Sequence, residues 1–93
     1  MEELKKYSNP IIAQANAFKY LGNNALLYRS SRKDKKYMVK DPNGKMIHFG
    51  QMLYEDFTKH QDNKRRDLFR LRNSRWKNAK KWSPAWLSYY ILW

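Results

Sequence analysis

The residues best equipped for chemistry lie in the middle of the chain: His48, Glu55, Asp56, His60 and Asp62. Imidazole and carboxylate groups can together hold a metal ion that activates water, as in a metal-dependent nuclease. Their spacing matches no metal-binding motif with a known mechanism. A histidine in a strand is more often packed or hydrogen-bonded, and adjacent carboxylates more simply pair with Lys or Arg or accept at helix ends. We therefore expect no metal site and keep a nuclease only as a remote alternative.

Other catalytic signatures are missing from the sequence. It contains no glycine-rich phosphate loop, no nucleophile elbow and no cysteine. The lack of cysteine also excludes disulfides and cysteine-based zinc sites. We expect a protein that is not an enzyme and that needs no cofactor.

Net charge is the strongest signal in the composition. The chain of 93 residues carries a formal charge of +12. The charge is uneven: residues 1–24 carry +1, residues 25–50 carry +5, residues 51–63 carry −2 and residues 64–93 carry +8. A merely solubilising surface does not require this asymmetry, and the second basic block is rich in Arg, which suits phosphate. The pattern favours binding of a polyanion.

The candidate nucleic-acid contacts belong to these two basic blocks. The primary set is Arg65, Arg66, Arg70, Arg72, Arg75 and Lys77, and the secondary set is Arg32, Lys33 and Lys35. Arg66 and Arg70 lie four residues apart, so a helix would present their guanidinium groups as a pair on one face. Trp76 and Trp82 either stack on exposed bases or anchor the core. No base-reading motif is evident, so charge and shape should govern binding, with little sequence preference.

The first half of the chain predicts one helix and a β meander. Ser8 or Asn9 caps the helix, Pro10 begins it and Gly22 ends it. Helical spacing predicts an inner face of Ile11, Ala15, Phe18 and Leu21. Three antiparallel strands follow at 25–30, 36–40 and 45–49, with a tight turn at 41–44 and a basic loop at 31–35. Because successive side chains of a strand point to opposite faces, we expect four apolar or aromatic side chains to share one face of the hairpin: Tyr37, Val39, Ile47 and Phe49.

The second half predicts two helices after an acidic, aromatic connection at 51–61. Asp62 caps a basic helix over about 63–72, with an inner face of either Leu68, Leu71 and Arg72 or Phe69, Arg72 and Trp76. Ser83 caps the last helix, which Pro84 begins. Aromatic residues recur along it at helical spacing: Trp86, Tyr89, Tyr90 and Trp93. This helix is either buried in the core or docked on a partner through Trp86, Tyr90 and Trp93.

Together these elements predict one α+β domain over 1–93. Its segments are an N-terminal helix (1–24), a three-stranded antiparallel meander (25–50), the connection (51–61), and basic and aromatic helices packed on the sheet (62–93). The amino terminus lacks the apolar stretch of a signal peptide, and no segment is apolar enough to span a membrane. With no cysteine, the chain suits a reducing compartment, so we expect it inside a cell or a particle, and not secreted.

Several segments resemble a family of small basic proteins encoded by large nucleocytoplasmic DNA viruses, a family of unknown function. The similar segments are KYMV (36–39), GKMIHFG (44–50), YEDFTKH (54–60), Arg65-Arg66 and the closing run 86–93. The similarity covers about the last two-thirds of the chain and leaves the first helix outside. The resemblance implies a viral protein that belongs to the particle, in the infected host cell and the virion. It implies no mechanism.

The leading functional hypothesis is non-sequence-specific binding of nucleic acid in a virion or its core, where the protein neutralises or organises the packaged genome. DNA is favoured over RNA. The alternative is a minor capsid or core protein that docks its basic faces on acidic viral structural subunits. The sequence does not decide the oligomeric state.

Overall fold

The computed structural model describes residues 3–93, so Met1 and Glu2 of the predicted segment 1–24 lie outside the described residues. A short 3₁₀ helix at Leu4–Lys6 precedes the first α-helix. The main elements, in chain order, are α1 (Pro10–Leu21), β1 (Tyr28–Arg29), β2 (Lys35–Lys40), β3 (Met46–Gln51), α2 (Phe57–His60), α3 (Asn63–Arg72) and α4 (Pro84–Leu87). A 3₁₀ helix at Ser74–Asn78 and a π-helical turn at Ser88–Leu92 flank α4. The predicted α+β class is confirmed.

Helix α1 has the predicted ends but a different inner face. The Asn9 side chain accepts hydrogen bonds from the main-chain N–H groups of Ile11 and Ile12, and Gly22 ends the helix with a φ of 102°. The predicted inner face is wrong at Ile11, which is 82% exposed, and at Ala15, which is also exposed; Leu21 packs half-buried against the core, and the fully buried residues are Ala13 and Ala17. Small alanine side chains let α1 approach the C-terminal segment closely. The Asn16 amide marks this contact by donating to the Ile91 carbonyl at 2.8 Å.

The three strands form an antiparallel sheet in the order β1-β2-β3, as predicted. Tyr37 pairs with Phe49 and Val39 with Ile47, which confirms the shared face. The turn also forms as predicted, since the Asp41 carboxylate accepts from the main-chain N–H groups of Asn43 and Lys45. Strand β1 is shorter than the predicted 25–30.

The shortening of β1 has a local cause in α1. The Gln14 amide donates to the Ala25 carbonyl and accepts from the Leu27 N–H, each at 2.8 Å. These bonds tie the backbone before Tyr28 to the helix, so it is not available to pair with β2. Ladder pairing therefore covers only Tyr28 and Arg29.

Between the sheet and the basic helix lies a helix that the sequence analysis did not predict, α2. Asp56 caps it by accepting from the Thr58 N–H. Helix α3 then begins after Asp62, whose carboxylate accepts from the N–H groups of Lys64 and Arg65, as predicted. Of the two inner faces proposed for α3, the first is wrong, because Leu68 and Leu71 are 55% and 75% exposed and Arg72 is exposed as well. The second is right only for Phe69 and Trp76, which are half-buried.

The C-terminal segment is only partly the regular helix that the sequence predicted. Ser83 caps α4 through the Trp86 N–H and Pro84 begins it, as expected. From Ser88 onward the backbone widens into the π-helical turn, which changes the angular spacing of the side chains. The fully buried residues are Leu87, Ile91 and Leu92, with Tyr89 nearly so. Helix α4 packs against β3, and the π-helical turn packs against α1.

Candidate nucleic-acid interface

A groove of about 780 Å³ separates the α3 region from the sheet and α4. One wall comes from α3 and the residues that follow it, and the other comes from the end of the β2–β3 hairpin and the connection to α2. The capping of α3 by Asp62 sets where the helix begins and hence which of its side chains reach the groove. Helix α3 has no fully buried residue, so the helix stands beside the core with its side chains accessible.

Three of the basic residues predicted as nucleic-acid contacts line this groove: Lys35, Arg65 and Arg72. Arg65 and Arg72 are seven residues apart on α3, so they lie on the same face about 10 Å apart along the helix axis. Lys35, in β2, contributes positive charge from the opposite wall. The fold thus brings together residues from both basic blocks of the sequence.

Aromatic side chains lie between these charges. Tyr54 lines the groove and is 65% exposed. Phe69 and Trp93 stack with ring centroids 4.2 Å apart and planes at 5°, and Trp76 meets Phe69 edge-on at 5.8 Å. The groove therefore combines positive walls with flat apolar surfaces, which is the composition of sites that bind nucleic-acid strands.

The predicted pairing of Arg66 and Arg70 occurs, but the pair faces the protein. Arg66 Nε and Arg70 Nη2 both donate to the main-chain oxygen of Trp93, at 2.7 Å and 3.0 Å. Their guanidinium groups lie over the rings of Phe57 and Tyr89, at 4.5 Å and 5.4 Å from the ring centroids. Both arginines therefore join α3 to the C-terminal segment. This use follows from where Trp93 folds back, which spacing along α3 does not reveal.

The remaining predicted contacts are exposed outside the groove. Arg75 and Lys77 lie on the 3₁₀ helix after α3, and Arg32 and Lys33 lie in the loop before β2. The Lys77 carbonyl accepts a hydrogen bond from the Tyr90 hydroxyl at 3.0 Å, while its side chain stays exposed. These residues extend positive charge along the surface on either side of the groove.

The predicted contact residues form no ion pairs with acidic side chains within the described part of the chain. Among residues 3–93, the only ion pair within 4 Å joins Lys36 and Asp56, which are both buried. Glu55 lines the groove but forms no such pair with Arg65 or Lys35. The positive charges of the exposed Arg and Lys side chains are therefore not neutralised by acidic side chains within the described part of the chain.

A buried ion pair confirms, for Asp56, the expectation that the adjacent carboxylates pair with Lys or Arg or accept at a helix end, although the sequence did not identify Lys36 as the partner. Lys36 Nζ lies 3.1 Å from Asp56 Oδ2 and also donates to the Tyr54 carbonyl. The other carboxylate oxygen accepts from the N–H and hydroxyl of Thr58, and that hydroxyl hydrogen-bonds with Ser8. Burial lowers the pKa of Lys36, and the Asp56 carboxylate opposes that shift. The Asp-Phe-Thr order at 56–58 was a capping signal that could have located the carboxylate.

Tyr37 extends the same network at its far end. Its hydroxyl lies 2.7 Å from the Ser8 hydroxyl inside the protein. Burial raises the pKa of Tyr37, while the hydrogen bond with Ser8 acts in the opposite direction. Lys36 and Tyr37 point to opposite faces of β2, so the network encloses the strand on both sides and orders the wall of the groove that carries Lys35.

The histidines and carboxylates considered for metal binding do not cluster in the described part of the chain, where no three His, Cys, Asp or Glu residues meet. His48 Nδ1 lies 2.7 Å from the Ser30 hydroxyl. His60 Nδ1 accepts from the Asp62 N–H at 2.9 Å, and its ring packs against Trp93 at 5.1 Å. Burial, together with the charge of Arg65, lowers the pKa of His60.

The aromatic residues predicted for partner binding are half-buried within the fold. Trp86 and Tyr90 pack together at 4.6 Å, and the Tyr20 ring of α1 contacts both. Trp93 stacks on Phe69. The larger exposed apolar surface is elsewhere, at Ile11, Leu53, Leu68 and Leu71.

Within residues 3–93, no helix is long and apolar enough to cross a membrane.

Comparison with known proteins gave no match among curated proteins and none among solved structures. Residues 25–73 match the profile described as "Family of unknown function (DUF5754)". That segment is more than half of the chain and runs from before β1 to just after α3, so it includes the sheet and the basic wall of the groove. The match does not include the run 86–93, to which the resemblance noted in the sequence extended.

Proposed function

The chain belongs to a family of unknown function (DUF5754), and we propose from its geometry that it binds nucleic acid without sequence preference. The groove between α3 and the sheet is the centre of the site, with Lys35, Arg65 and Arg72 as its phosphate contacts. Arg32, Lys33, Arg75 and Lys77 extend the contact along the surface. Arg66 and Arg70 mainly hold α3 against the C-terminal segment and contribute less to ligand binding. The proposal includes no catalysis.

One observation carries this proposal: basic side chains from two distant segments of the chain line one groove, and none of them has an acidic partner among the residues described. A basic surface that served solubility alone would not need to converge in this way. When Arg and Lys side chains neutralise phosphates, they displace the cations condensed on the nucleic acid. This release makes binding favourable and dependent on salt concentration.

The expected lack of sequence preference also has a physical basis. Helix α3 is held to the C-terminal segment by Arg66 and Arg70 and borders the groove, so this basic helix does not stand free to enter a major groove. Without such an element, contacts go to phosphates and to flat base faces, which carry little sequence information.

The proposed setting is a virus particle or its core in an infected cell. The resemblance to small basic proteins of large DNA viruses supports this setting, and the charge of +12 suits neutralisation of a packaged genome. DNA is favoured over RNA on the same ground.

A salt titration tests the proposal. Affinity is measured for duplex DNA of unrelated sequence, for single-stranded nucleic acid and for an acidic protein, over a range of salt. We expect nucleic-acid binding to persist near physiological salt, with a slope of log affinity on log salt that indicates several phosphate contacts. Binding that collapses there, or equal competition by the acidic protein, would contradict the proposal.

A charge-matched pair of variants locates the site. Arg65→Gln with Arg72→Gln removes two positive charges from the groove. Lys40→Gln with Lys45→Gln removes the same charge from the hairpin turn, roughly 16 Å along β2 from Lys35. We expect the first variant to reduce the salt slope by about two units and the second to change it far less. Equal effects would show that net charge, and not the groove, governs binding.

A second candidate function is docking on acidic structural subunits. The exposure of Leu68 and Leu71 on α3 beside basic residues favours it, since such a face fits an amphipathic acidic partner. The acidic protein in the salt titration addresses this alternative, and Leu71→Ser should weaken docking without affecting nucleic-acid binding.

A further inference from the structure

We infer that the groove takes single-stranded nucleic acid, with unpaired bases stacked on its aromatic side chains. This inference rests on the proposed function and specifies which form of nucleic acid the groove binds. It starts from the arrangement of charge and aromatic surface. Each wall of the groove carries both: Arg65, Arg72, Phe69 and Trp76 belong to the wall formed by α3 and the residues after it, and Lys35 and Tyr54 belong to the opposite wall.

Charge alone gives no preference for a single strand, because duplex DNA carries the higher density of phosphate charge. Duplex bases, however, are already stacked on both faces by their neighbours, so aromatic side chains gain little from a double helix. A single strand has exposed base faces, and each stacking contact adds affinity that does not depend on which base is present. The aromatic surface therefore favours the single-stranded form.

Tyr54 is the side chain best placed to make such a contact. It is 65% exposed, and its ring packs against no other aromatic ring among residues 3–93. Its main chain is held, because the Tyr54 carbonyl accepts from the buried Lys36 ammonium. The ring is thus exposed on an anchored backbone, which lowers the entropy lost when a base stacks on it.

The far side of the groove has its own aromatic surface. Phe69 is held between Trp93, which stacks on it, and Trp76, which meets it edge-on. Trp76 is half-buried and lines the groove. Aromatic groups on both sides of the groove, with Arg and Lys side chains along both walls, define a path for a strand whose phosphates contact Arg65 and Arg72.

The occupant is a single strand and not an acidic peptide, on the evidence of this aromatic content. A peptide would use the charges and the exposed Leu68, but flat stacking surfaces at both sides offer it no specific advantage. Single-stranded DNA and RNA share the chemistry that the groove recognises, and oligonucleotides of each sugar distinguish them.

The test compares strands of equal length: oligo(dT), oligo(U) and a duplex, at fixed salt near the physiological value. Tyr54→Ser removes an exposed ring, and Tyr28→Ser removes a half-exposed ring from β1 at the other edge of the sheet as a matched control. We expect Tyr54→Ser to weaken single-strand binding by about 5- to 150-fold and duplex binding by less than about 2-fold. Tyr28→Ser should change neither.

Trp76→Leu is a second variant, with thermal unfolding measured alongside because Trp76 packs on Phe69. It should also weaken single-strand binding selectively. Unchanged single-strand affinity in Tyr54→Ser, or an equal loss of duplex affinity, would overturn the inference while leaving the proposed function in place. Unchanged affinity of the Arg65→Gln, Arg72→Gln variant for every nucleic acid would instead overturn the proposed function itself. Equal competition for the wild-type groove by an acidic amphipathic peptide would also overturn the inference.

Discussion

The ammonium of Lys36 lies 3.1 Å from the carboxylate of Asp56, and both side chains are buried. Lys36 comes from β2 and Asp56 is the cap of α2, so the pair joins the sheet to the segment that leads into α3. The same lysine holds the Tyr54 carbonyl. This ion pair therefore orders one wall of the candidate groove from below its surface.

Asp56→Asn should strongly destabilise the protein. Asn can still cap α2, but the Lys36 ammonium is left buried without a counter-charge, which costs about 3–5 kcal/mol. Urea denaturation measures the free energy of unfolding. Asp67→Asn, at an exposed site on α3, is the control and should change it by less than about 0.5 kcal/mol.

The double variant Lys36→Met, Asp56→Asn sharpens that test. Removing both charges avoids the unpaired ammonium, so the double variant should be more stable than Asp56→Asn alone. Equal or lower stability would mean that hydrogen bonds of the lysine, and not charge pairing, dominate at this position.

Gly50→Ala should destabilise the protein more than Gly44→Ala. Both glycines have a positive φ, of 81° and 84°, so both substitutions incur similar backbone strain. An added Cβ at Gly50 would lie 2.7 Å from Leu92 Cδ1 and 3.2 Å from Lys36 Cβ, whereas at Gly44 nothing lies within 4 Å. We expect an extra cost of about 1–3 kcal/mol at Gly50, measured by denaturation. Equal costs would indicate that Leu92 moves aside freely.

Arg66→Gln and Arg70→Gln should act on stability before they act on binding. Each arginine donates to the main-chain oxygen of Trp93, and losing a hydrogen bond from a charged donor costs about 1–3 kcal/mol. Arg65→Gln and Arg72→Gln, which are exposed, should change stability by less than about 0.5 kcal/mol and lower the salt slope by about one unit each.

The opposite pattern would restore the original prediction from spacing. If Arg66→Gln and Arg70→Gln lower the salt slope while stability is unchanged, then the paired guanidinium groups face the nucleic acid and the contacts with Trp93 are dispensable. Unfolding curves and salt titrations on the same four variants separate the two roles.

Acidification should weaken the fold through His60. Its pKa in the folded protein is lowered from 6.5, first by burial and then by the charge of Arg65, while nearby Asp62, Glu55 and Asp56 oppose the shift. As pH falls through about 6.5, the unfolded chain binds a proton that the folded chain does not yet bind, so stability decreases. Below the folded pKa, both states are protonated and this dependence ends.

Thermal unfolding at about pH 7.5 and about pH 5 checks this dependence. His60→Gln is the matched variant, because Gln does not titrate. The wild-type protein should lose more stability between the two values than the variant does. A loss of equal size in both proteins would assign the pH dependence to other groups.

Local sequence features predicted much of the secondary structure. Asn9, Asp62 and Ser83 act as caps where their types and positions indicated, and the turn at 41–44 forms as its composition predicts. Each of these features depends on hydrogen bonds between residues within four positions of one another. Such bonds form wherever the local sequence allows them, so no knowledge of the rest of the fold was needed.

Interactions between distant residues needed the tertiary structure. The sequence by itself determined the net charge, the caps and the turn of the hairpin, because these follow from composition and short-range bonding. Only the folded chain decided that Lys36 meets Asp56, 20 positions away, that Arg66 and Arg70 turn toward Trp93, and that Lys35 and Arg65 line the same groove. Each of these contacts depends on how whole elements pack, and a periodic pattern along one element contains no information about which other element will lie beside it.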